Sequence, residues 1–263
     1  MRIIRYQRNN KVGYGILEAD KIRELVESPF GCLENIKTGA ALPLESCRLL
    51  APVSPPNILA IGLNYRLHAQ EGGHPFPKEP IVFSKTTTSL AGNGSAIVLP
   101  KMAPGEVDYE GELALVIRKT ARNITPEKAF EYLLGSTCAN DVSARDCQMR
   151  LDRQWTRGKS FDTFCPVGPW IETDVDPDNL LLETRVNGQV VQKTSTSDMI
   201  FNCRTLISYL SRCMTLLPGT LILTGTPSGV GYNRRPQLFF KNGDVVEVEI
   251  EKIGLLRNNV IAE

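Results

Sequence analysis

The segment VDYEGELALVI, residues 107–117, joins an apolar, strand-like run to three acidic side chains. Successive side chains of a strand point to opposite faces, so Glu110 and Glu112 would share one face, with Cα atoms about 7 Å apart. The same face would carry Asp108, Ala114 and Val116, and the opposite face Tyr109, Leu113, Leu115 and Ile117. Two ionised carboxylates in a low-dielectric region repel each other and lose hydration unless a cation compensates them. Three arrangements remain open: a solvated strand end, a coupled pair that shares a proton, or a site for a hard divalent cation.

The composition and net charge are those of a globular protein with no strong preference for polyanions. The 263 residues are 42% hydrophobic and 22% charged, with a formal net charge of +1 and a pI near 7.5. We therefore expect neither nucleic acid nor a membrane surface as a partner. The N-terminus lacks the apolar core of a signal peptide, and polar residues interrupt the apolar run at 206–223. This pattern predicts a cytoplasmic protein.

Cysteine and histidine usage argues against a disulfide or zinc framework. The seven cysteines form no CxxC pair and are odd in number, so reduced and mostly buried thiols are expected. The chain has only two histidines, His68 and His74, which excludes a zinc site built from three histidines. Any metal must therefore be bound by oxygen atoms.

The Pro-rich stretch VSPPN, residues 53–57, is the best candidate for a linker. Before it, the segments IIRYQ and VGYGILE read as two short strands joined by the polar turn RNNK. We therefore expect a small N-terminal β domain over residues 1–56 and a larger domain over residues 57–263.

Local patterns in the larger domain predict strands and a few helices, without the regular alternation of a doubly wound sheet. Thr125 as N-cap, Pro126 at the first helical position and Gly135 as stop predict a helix over TPEKAFEYLLG. Asn187–Gly188 predicts a type I′ hairpin within LLETRVNGQVVQ. Further helices are expected over SARDCQMRL and MIFNCRTLISYLSRC, and further strands over PIVFSK, AIVLP, TLILTGTPSGVG and DVVEVEIEKIGLLRNNV. Strands predominate, so the expected class is α+β.

Three polar segments of the larger domain carry side chains that could act chemically. GLNYRLHAQEGG contains His68 and Glu71, CANDVSARDCQ contains Asp141, Arg145 and Gln148, and RGKSFDTFCP contains Lys159 and Thr163. Each also has a structural interpretation. His68 and Glu71 could be a surface helical pair, Asp141 a helix N-cap and Arg145 part of an ion pair. Lys159 could be solvated, and Gln148 could face outward from a helix.

Several familiar catalytic motifs are excluded. There is no GxSxG elbow for a serine hydrolase. GKS at residues 158–160 resembles the end of a phosphate-binding loop, but the first glycine of that loop would fall at Arg153. GTPSGVG does not match the GxGxxG of a dinucleotide site.

Taken in order, these segments resemble the fumarylacetoacetate hydrolase superfamily. The matching stretches include ILAIGLNYRLHAQEGG, DYEGELALVI, ANDVSARDCQ, GKSFDTFCPVGPW and LILTGTPSGVG, spaced across residues 57–260 as the family spaces them. The resemblance implies a β-rich, mixed β-sandwich or β-roll of the fumarylacetoacetase C-terminal-domain type. The small N-terminal β domain is similar to that of two-domain bacterial-type members.

The resemblance also implies a role for the acidic segment. In the family, two glutamates of an ExE strand and the aspartate of an NDxSARD block bind a divalent cation. This implies that Glu110, Glu112 and Asp141 bind Mg²⁺ or Mn²⁺, with Ca²⁺ as an alternative. Three carboxylates offer hard oxygen ligands and leave coordination positions for water and substrate.

Family members act on small 2-oxo acids or their enols. The resemblance implies a dyad in which His68 is the general base and Glu71 orients it, with Lys159 as a third catalytic residue that holds developing negative charge. Substrate contacts are expected from Gln148, Arg145, Thr163 and Thr226. The segment around His68 precedes Gly72–Gly73 and is expected to be a mobile lid.

Three functions remain as hypotheses. The dyad favours hydrolysis of a C–C bond in an acylpyruvate such as fumarylpyruvate or acetylpyruvate. The second hypothesis is an isomerase or decarboxylase of 2-hydroxydienedioates, or a tautomerase or decarboxylase of oxaloacetate, that uses the same metal. The third is a metal-binding structural or regulatory protein without turnover. The family also implies a homodimer.

Overall fold

Two mixed sheets that pack face to face form most of the protein, in a computed structural model that describes residues 1–31 and 36–263. In chain order the strands are β1 (Arg2–Arg8), β2 (Lys11–Glu18), β3 (Lys21–Leu25), β4 (Thr38–Pro43), β5 (Arg48–Leu49), β6 (Ile58–Gly62), β7 (Ile81–Lys85), β8 (Leu90–Ala91), β9 (Ile97–Leu99), β10 (Val107–Asp108), β11 (Gly111–Ile117), β12 (Leu133–Asn140), β13 (Ser143–Ala144), β14 (Cys165–Glu172), β15 (Leu181–Val186), β16 (Gln189–Ser195), β17 (Leu221–Leu223), β18 (Val245–Ile250) and β19 (Gly254–Ala262). The α-helices are α1 (Arg66–Glu71), α2 (Thr156–Lys159) and α3 (Cys203–Cys213).

The strand order confirms a β-rich, mixed α+β fold. The larger sheet has twelve strands in the order β4-β3-β2-β1-β14-β12-β11-β17-β6-β7, with β5 and β8 paired to β1 and β14. The smaller sheet has five strands in the order β16-β15-β18-β19-β9, and β10 pairs with β13 separately. β17 runs parallel to β6 and β19 parallel to β9, whereas most other neighbours are antiparallel.

The N-terminal strands continue the larger sheet. Arg2 of β1 lies opposite Glu172 of β14, and Ile3 lies opposite Ile171. The charged stretch after β2, for which the sequence predicts no strand, supplies β3 and β4. The domain boundary at residue 56 stays a prediction.

Strand β11 runs through the middle of the core and is buried along its whole length. Leu113, Leu115 and Ile117 pack between the two sheets and against α3, whereas Ala114 and Val116 pack on the opposite side of the larger sheet. The predicted division into two faces is confirmed within β11. Tyr109 does not share the Leu113 face, because it packs in a different apolar cluster.

Strong local signals placed the hairpin and the longest helix correctly. Asn187 and Gly188 have φ values of 52° and 77° and connect β15 to β16, as a type I′ turn requires. Helix α3 lies within the predicted segment and presents Leu206, Ile207 and Leu210 to the core.

Two helix predictions were wrong in type or length. TPEKAFEYLLG forms a 3₁₀ helix over Pro126–Tyr132, and Gly135 lies inside β12. A Cβ on Gly135 would come within 2.8 Å of the Ile171 side chain, so this glycine permits close strand packing and does not end a helix. SARDCQMRL begins as β13, and its helical part is short and has π-type hydrogen bonds over Cys147–Leu151.

We expect Asn202→Ala to lower the stability of the protein by about 1 kcal/mol. Asn202 Oδ1 accepts a hydrogen bond from Thr205 N at 3.0 Å and caps α3. In a chain of this size the loss corresponds to a fall in Tm of about 2–4 °C, which scanning calorimetry measures. Asn202→Asp keeps the acceptor and serves as the control. An equal loss in both variants would contradict the capping explanation.

The described residues agree with the cysteine prediction. Six cysteines there are free, whereas Cys32 lies outside the described residues. Among the helices that the structure describes, none is long and apolar enough to cross a membrane. The cytoplasmic location stays a prediction.

Candidate functional site

The acidic segment is not one continuous strand. Asp108 ends β10, which pairs with β13, whereas β11 begins at Gly111 and pairs with β12. Glu110 lies between the two strands, and its backbone N–H donates to Asn140 Oδ1 at 3.0 Å. Glu110 is 6% exposed and Glu112 1% exposed. Burial rules out the solvated strand end.

Three carboxylates meet at this point. Asp141 directly follows β12, and the pairing of Gly111 with Asn140 brings it beside Glu110 and Glu112. Each of the three carboxylates offers an oxygen, and these oxygens lie within 4.8 Å of one another. The structure thus brings together the three side chains that the resemblance implies as metal ligands.

Three cationic side chains contact the carboxylates. Lys159 Nζ donates to Glu110 Oε2 at 2.6 Å and to Asp141 Oδ2 at 2.7 Å. Lys85 Nζ donates to Asp141 Oδ1 at 2.5 Å. Arg145 Nη2 lies 2.7 Å from Glu110 Oε1. Lys85 was not predicted, although a lysine that ends an apolar strand was a signal for a buried cation.

The surroundings shift the pKa values of the two glutamates in opposite directions. Burial raises the pKa of Glu112 well above its usual value, and the charges of Asp141 and Glu110 add to the rise. Burial also opposes ionisation of Glu110, but Lys159 and Arg145 outweigh it and lower its pKa. Glu112 is therefore the carboxylate with the least compensation, although Gly225 N donates to its Oε2 at 2.7 Å.

The charges of Lys159 and Arg145 are stabilised by the neighbouring carboxylates, which raise the pKa values of both side chains. Burial opposes the charge on Lys159, but Asp141 and Glu110 outweigh it and raise the pKa of Lys159. Burial raises the pKa of Asp108, and Arg145 opposes that rise. The buried acids of this cluster are Asp108, Glu110, Glu112 and Asp141, and its buried cations are Lys85, Arg145 and Lys159.

The residues fit a hard divalent cation. With every group ionised, the four carboxylates exceed the three cations by one charge, so a cation would be attracted to the cluster. The donor set consists of carboxylate oxygens, which suits Mg²⁺, Mn²⁺ or Ca²⁺ and not a thiolate-binding metal.

The predicted dyad is formed. His68 Nδ1 lies 3.2 Å from Glu71 Oε2. Gly229 N donates to Glu71 Oε1 at 3.0 Å, and Asn233 Nδ2 donates to Oε2 at 3.3 Å. Burial favours a higher pKa for Glu71, but hydrogen bonds from His68, Asn233 and Gly229 outweigh it and lower the pKa. In the tautomer that donates Nδ1–H to the Glu71 carboxylate, Nε2 is the ring atom left with a lone pair.

His68 of the dyad and Glu110 of the acidic cluster line one cavity of about 400 Å³, whereas Glu71, Glu112 and Asp141 lie behind its wall. Its polar lining residues are His68, His74, Glu110, Arg145, Gln148, Lys159, Thr226, Tyr232 and Asn233, and its larger apolar ones include Ile81, Phe83, Met149 and Trp155. Both histidines of the chain lie in this wall, although no sequence pattern predicts a role for His74. Trp155 packs edge-on against Phe83, with ring centroids 5.3 Å apart.

The predicted substrate-contacting residues are only partly brought together. Arg145 Nη1 donates to Gln148 Oε1 at 2.9 Å, and both residues line the cavity. Arg145 Nη2 lies 2.7 Å from Glu110 Oε1 and 2.8 Å from Asp108 Oδ2, so the N–H groups left for a bound carboxylate are those of Arg145 Nη1 and Gln148 Nε2. Thr226 also lines the cavity, but its hydroxyl already donates to Gly111 O at 3.1 Å.

Thr163 does not line the cavity that the structure describes. Its hydroxyl accepts a hydrogen bond from Val98 N at 2.8 Å, beside β9. The sequence grouped Thr163 with Lys159 because the two are close in the chain. Thr163 lies in the turn after α2, with a φ of 70°.

Comparison with family models covers nearly the whole chain. A model described as "Fumarylacetoacetate (FAA) hydrolase C-terminal" matches residues 57–261. A second, described as "Rv2993c-like, N-terminal", matches residues 1–52.

Similar proteins carry different activity names. A human protein named as a mitochondrial oxaloacetate tautomerase is 47% identical over 225 residues, which are 84% of this chain and 71% of the human one. The solved structure of a 5-carboxymethyl-2-hydroxymuconate delta-isomerase from Mycobacterium smegmatis is 41% identical, with a TM-score of 0.90 and full coverage of both chains. A fumarylacetoacetate hydrolase from Exiguobacterium antarcticum is 37% identical, with a TM-score of 0.88 and full coverage of both chains.

Proposed function

The chain belongs to the fumarylacetoacetate hydrolase superfamily, and on that premise we propose that it is a divalent-metal-dependent tautomerase or isomerase of a small 2-oxo dicarboxylic acid. The observation that carries the proposal is its 47% identity to an oxaloacetate tautomerase over 84% of the chain. The isomerase of Mycobacterium smegmatis adds support, because tautomerisation and this isomerisation both shift a proton without cleaving a C–C bond. Proton transfer therefore replaces hydrolysis as the leading hypothesis.

Glu110, Glu112 and Asp141 would hold the cation, which we propose is Mg²⁺ or Mn²⁺, with Ca²⁺ as an alternative. When bound, the cation supplies Lewis-acid stabilisation of the negative charge that develops on the keto oxygen. All three side chains are buried, so the site that they form is shielded from bulk water.

His68 is the group that moves the proton. Its Nε2 takes the proton from C3 of the 2-oxo acid, the C–H electron pair becomes the C2–C3 double bond, and the carbonyl π pair moves to the C2 oxygen. The proton then returns to that oxygen and gives the enol, and the reverse sequence gives the ketone. Glu71 orients the ring and stabilises its protonated form.

Lys159 and Arg145 hold the substrate. The Lys159 ammonium has three N–H donors, of which Glu110 and Asp141 accept two, so one remains for a substrate oxygen. Because its pKa is raised, Lys159 acts as a donor and not as the base. Arg145 and Gln148 form a joined pair of donors for a carboxylate.

We expect His68→Gln to lower kcat for enol–ketone conversion by about 10²- to 10⁴-fold, the usual contribution of a general base. Ultraviolet absorbance of the oxaloacetate enol follows the reaction. His74→Gln is the matched control, because His74 lies in the same cavity wall without contacting Glu71, and it should stay within about 3-fold of wild type. Equal losses in the two variants would contradict the role of His68.

A substrate panel tests the reaction type. Wild type with Mg²⁺ or Mn²⁺ is assayed for tautomerisation and decarboxylation of oxaloacetate, isomerisation of 5-carboxymethyl-2-hydroxymuconate, and hydrolysis of acetylpyruvate and fumarylpyruvate. Proton shifts at least about 100-fold more efficient than any cleavage would support the proposal. Predominant C–C hydrolysis would restore the acylpyruvate hypothesis, and metal binding without turnover would favour the non-catalytic one.

Assembly and location belong to the same proposal. A homodimer is implied by family resemblance, and sedimentation equilibrium measures it directly. The cytoplasmic location also stays a prediction, because the human relative is named as mitochondrial.

A further inference from the structure

Asp108, the first acid of the opening segment, has no role in the proposed metal or substrate contacts. Its side chain is completely buried. Oδ1 accepts hydrogen bonds from Tyr109 N and Gly231 N, both at 2.8 Å. Oδ2 accepts from Tyr232 N and Arg145 Nε, both at 2.9 Å. All these partners are N–H donors, so the position requires two acceptor oxygens.

The contacts from Gly231 N and Tyr232 N connect Asp108 to the dyad through a loop. Asp108 holds the loop at Gly231 and Tyr232, and the same loop donates to Glu71 from Gly229 N and Asn233 Nδ2. Glu71 in turn contacts His68. The orientation of the His68 ring therefore depends on a loop that Asp108 fixes to β10.

The contact from Arg145 Nε connects Asp108 to the proposed substrate-binding residues. The bond from Arg145 Nε to Asp108 fixes the plane of the guanidinium, from which Nη1 donates to Gln148 and Nη2 faces Glu110. The Tyr232 ring centroid lies 5.8 Å from the same guanidinium. Asp108 thus contacts both the loop and the arginine.

The loop can approach Asp108 because position 231 is glycine. A Cβ there would lie 2.6 Å from Asp108 Oδ1 and would also collide with Leu238 O. The close contact between the loop and Asp108 therefore depends on the glycine at position 231 as well as on the Asp108 carboxylate.

We infer that Asp108 is a positioning residue that fixes the His68–Glu71 dyad relative to the Arg145–Gln148 pair. The kinetic part of this inference rests on the proposed function, whereas the geometric part does not. Removal of an acceptor at Asp108 should disturb the base and the substrate contacts together, and leave the three metal-binding carboxylates in place.

Asp108→Asn keeps the volume and replaces one acceptor by an NH₂ donor. We expect kcat to fall by about 10- to 100-fold, comparable to the loss of other outer hydrogen-bond partners, and KM to rise by about 10-fold. Asn233→Ala removes one contact from the loop to Glu71 and leaves the contact from Gly229 N, so kcat should fall by a smaller factor, about 3- to 10-fold, with KM unchanged. Glu106→Gln is the matched control and should behave as wild type, because Glu106 forms a partly exposed ion pair with Arg150.

Two readouts do not depend on turnover. The chain has two histidines, so imidazole NMR gives two sets of ring signals, which His74→Gln assigns. The His68 signals should shift in Asp108→Asn and Asn233→Ala but not in Glu106→Gln, and Mn²⁺ affinity should change by less than about 3-fold in all three. If Asp108→Asn does not fold, Asn233→Ala carries the test.

Unchanged His68 signals in Asn233→Ala, or a change in kcat without one in KM in folded Asp108→Asn, would overturn the inference. Loss of Mn²⁺ binding in Asp108→Asn would also overturn it, because Asp108 would then support the metal site. If wild type converts none of the 2-oxo acids, the proposed function fails, and the NMR comparison still decides the geometric part.

Discussion

Replacement of Glu112 by glutamine is expected to abolish turnover and to weaken Mn²⁺ binding by more than about 100-fold. Outer partners of metal ligands typically contribute about 10- to 100-fold to metal affinity, and a direct carboxylate ligand should contribute more. Glutamine preserves the volume and an oxygen for Gly225 N, so the change removes charge with little disturbance of packing. Isothermal titration with Mn²⁺ measures the affinity.

Although Glu112→Gln should weaken metal binding, it should not lower the stability of the metal-free protein. Glu112 is fully buried beside Glu110 and Asp141, and like charges in such a place are unfavourable. Glu112→Gln should therefore melt at the same temperature as wild type or higher without metal, and should lose the rise in Tm that Mn²⁺ gives wild type. Glu106→Gln is the control. Equal Mn²⁺ responses in Glu112→Gln and wild type would leave a coupled, proton-sharing pair as the better explanation of the two glutamates.

Lys159→Met should destabilise the chelated protein by about 3–5 kcal/mol. Removal of one partner of a buried ion pair leaves the other charge uncompensated, and Lys159 contacts both Glu110 and Asp141 while only 2% exposed. At about 2–4 °C per kcal/mol, the expected fall in Tm is roughly 6–20 °C. Scanning calorimetry with chelator measures it.

Metal should offset part of this loss, because a divalent cation would compensate the same two carboxylates. The Mn²⁺-induced rise in Tm is therefore expected to be larger in Lys159→Met than in wild type, while turnover is lost. Lys193→Met is the matched control: Lys193 pairs with Glu183 but is 67% exposed, so its loss should be within about 1 kcal/mol. Similar melting temperatures for the two variants would mean that Lys159 does not compensate the cluster.

Parts of the fold with strong local signals were predictable from sequence. The hairpin follows from Asn187–Gly188, because few residues adopt positive φ twice in succession, and α3 follows from its apolar spacing. The helix predicted over TPEKAFEYLLG is wrong in type and length. Its predicted start is correct, but Gly135 lies in β12 and packs against β14, so it is not a helix stop. Tertiary contacts determine the secondary structure of that segment, and a local sequence pattern does not reveal them.

The candidate site also has a part that local patterns predict and a part that depends on tertiary contacts. Glu110 and Glu112 could be paired from alternation alone, but the register that places Asp141 beside them depends on the β11–β12 pairing. Lys85 lies 56 residues from Asp141 in the chain, so no spacing argument could join them. Family resemblance supplied His68 and Glu71, but not the reaction, because a histidine base serves hydrolysis and proton transfer equally.

The pairing of β1 with β14 also bears on how the protein can be divided. β14 lies between β1 and β12 in the larger sheet, so a chain that began at residue 57 would leave the backbone groups near Ile171 and Glu172 without their neighbour. Such an open strand edge is a template for pairing with other chains. Ile3, which is completely buried against the same core, would also be missing. The N-terminal segment therefore covers this strand edge, and a chain without residues 1–56 is expected to associate with other chains through β14.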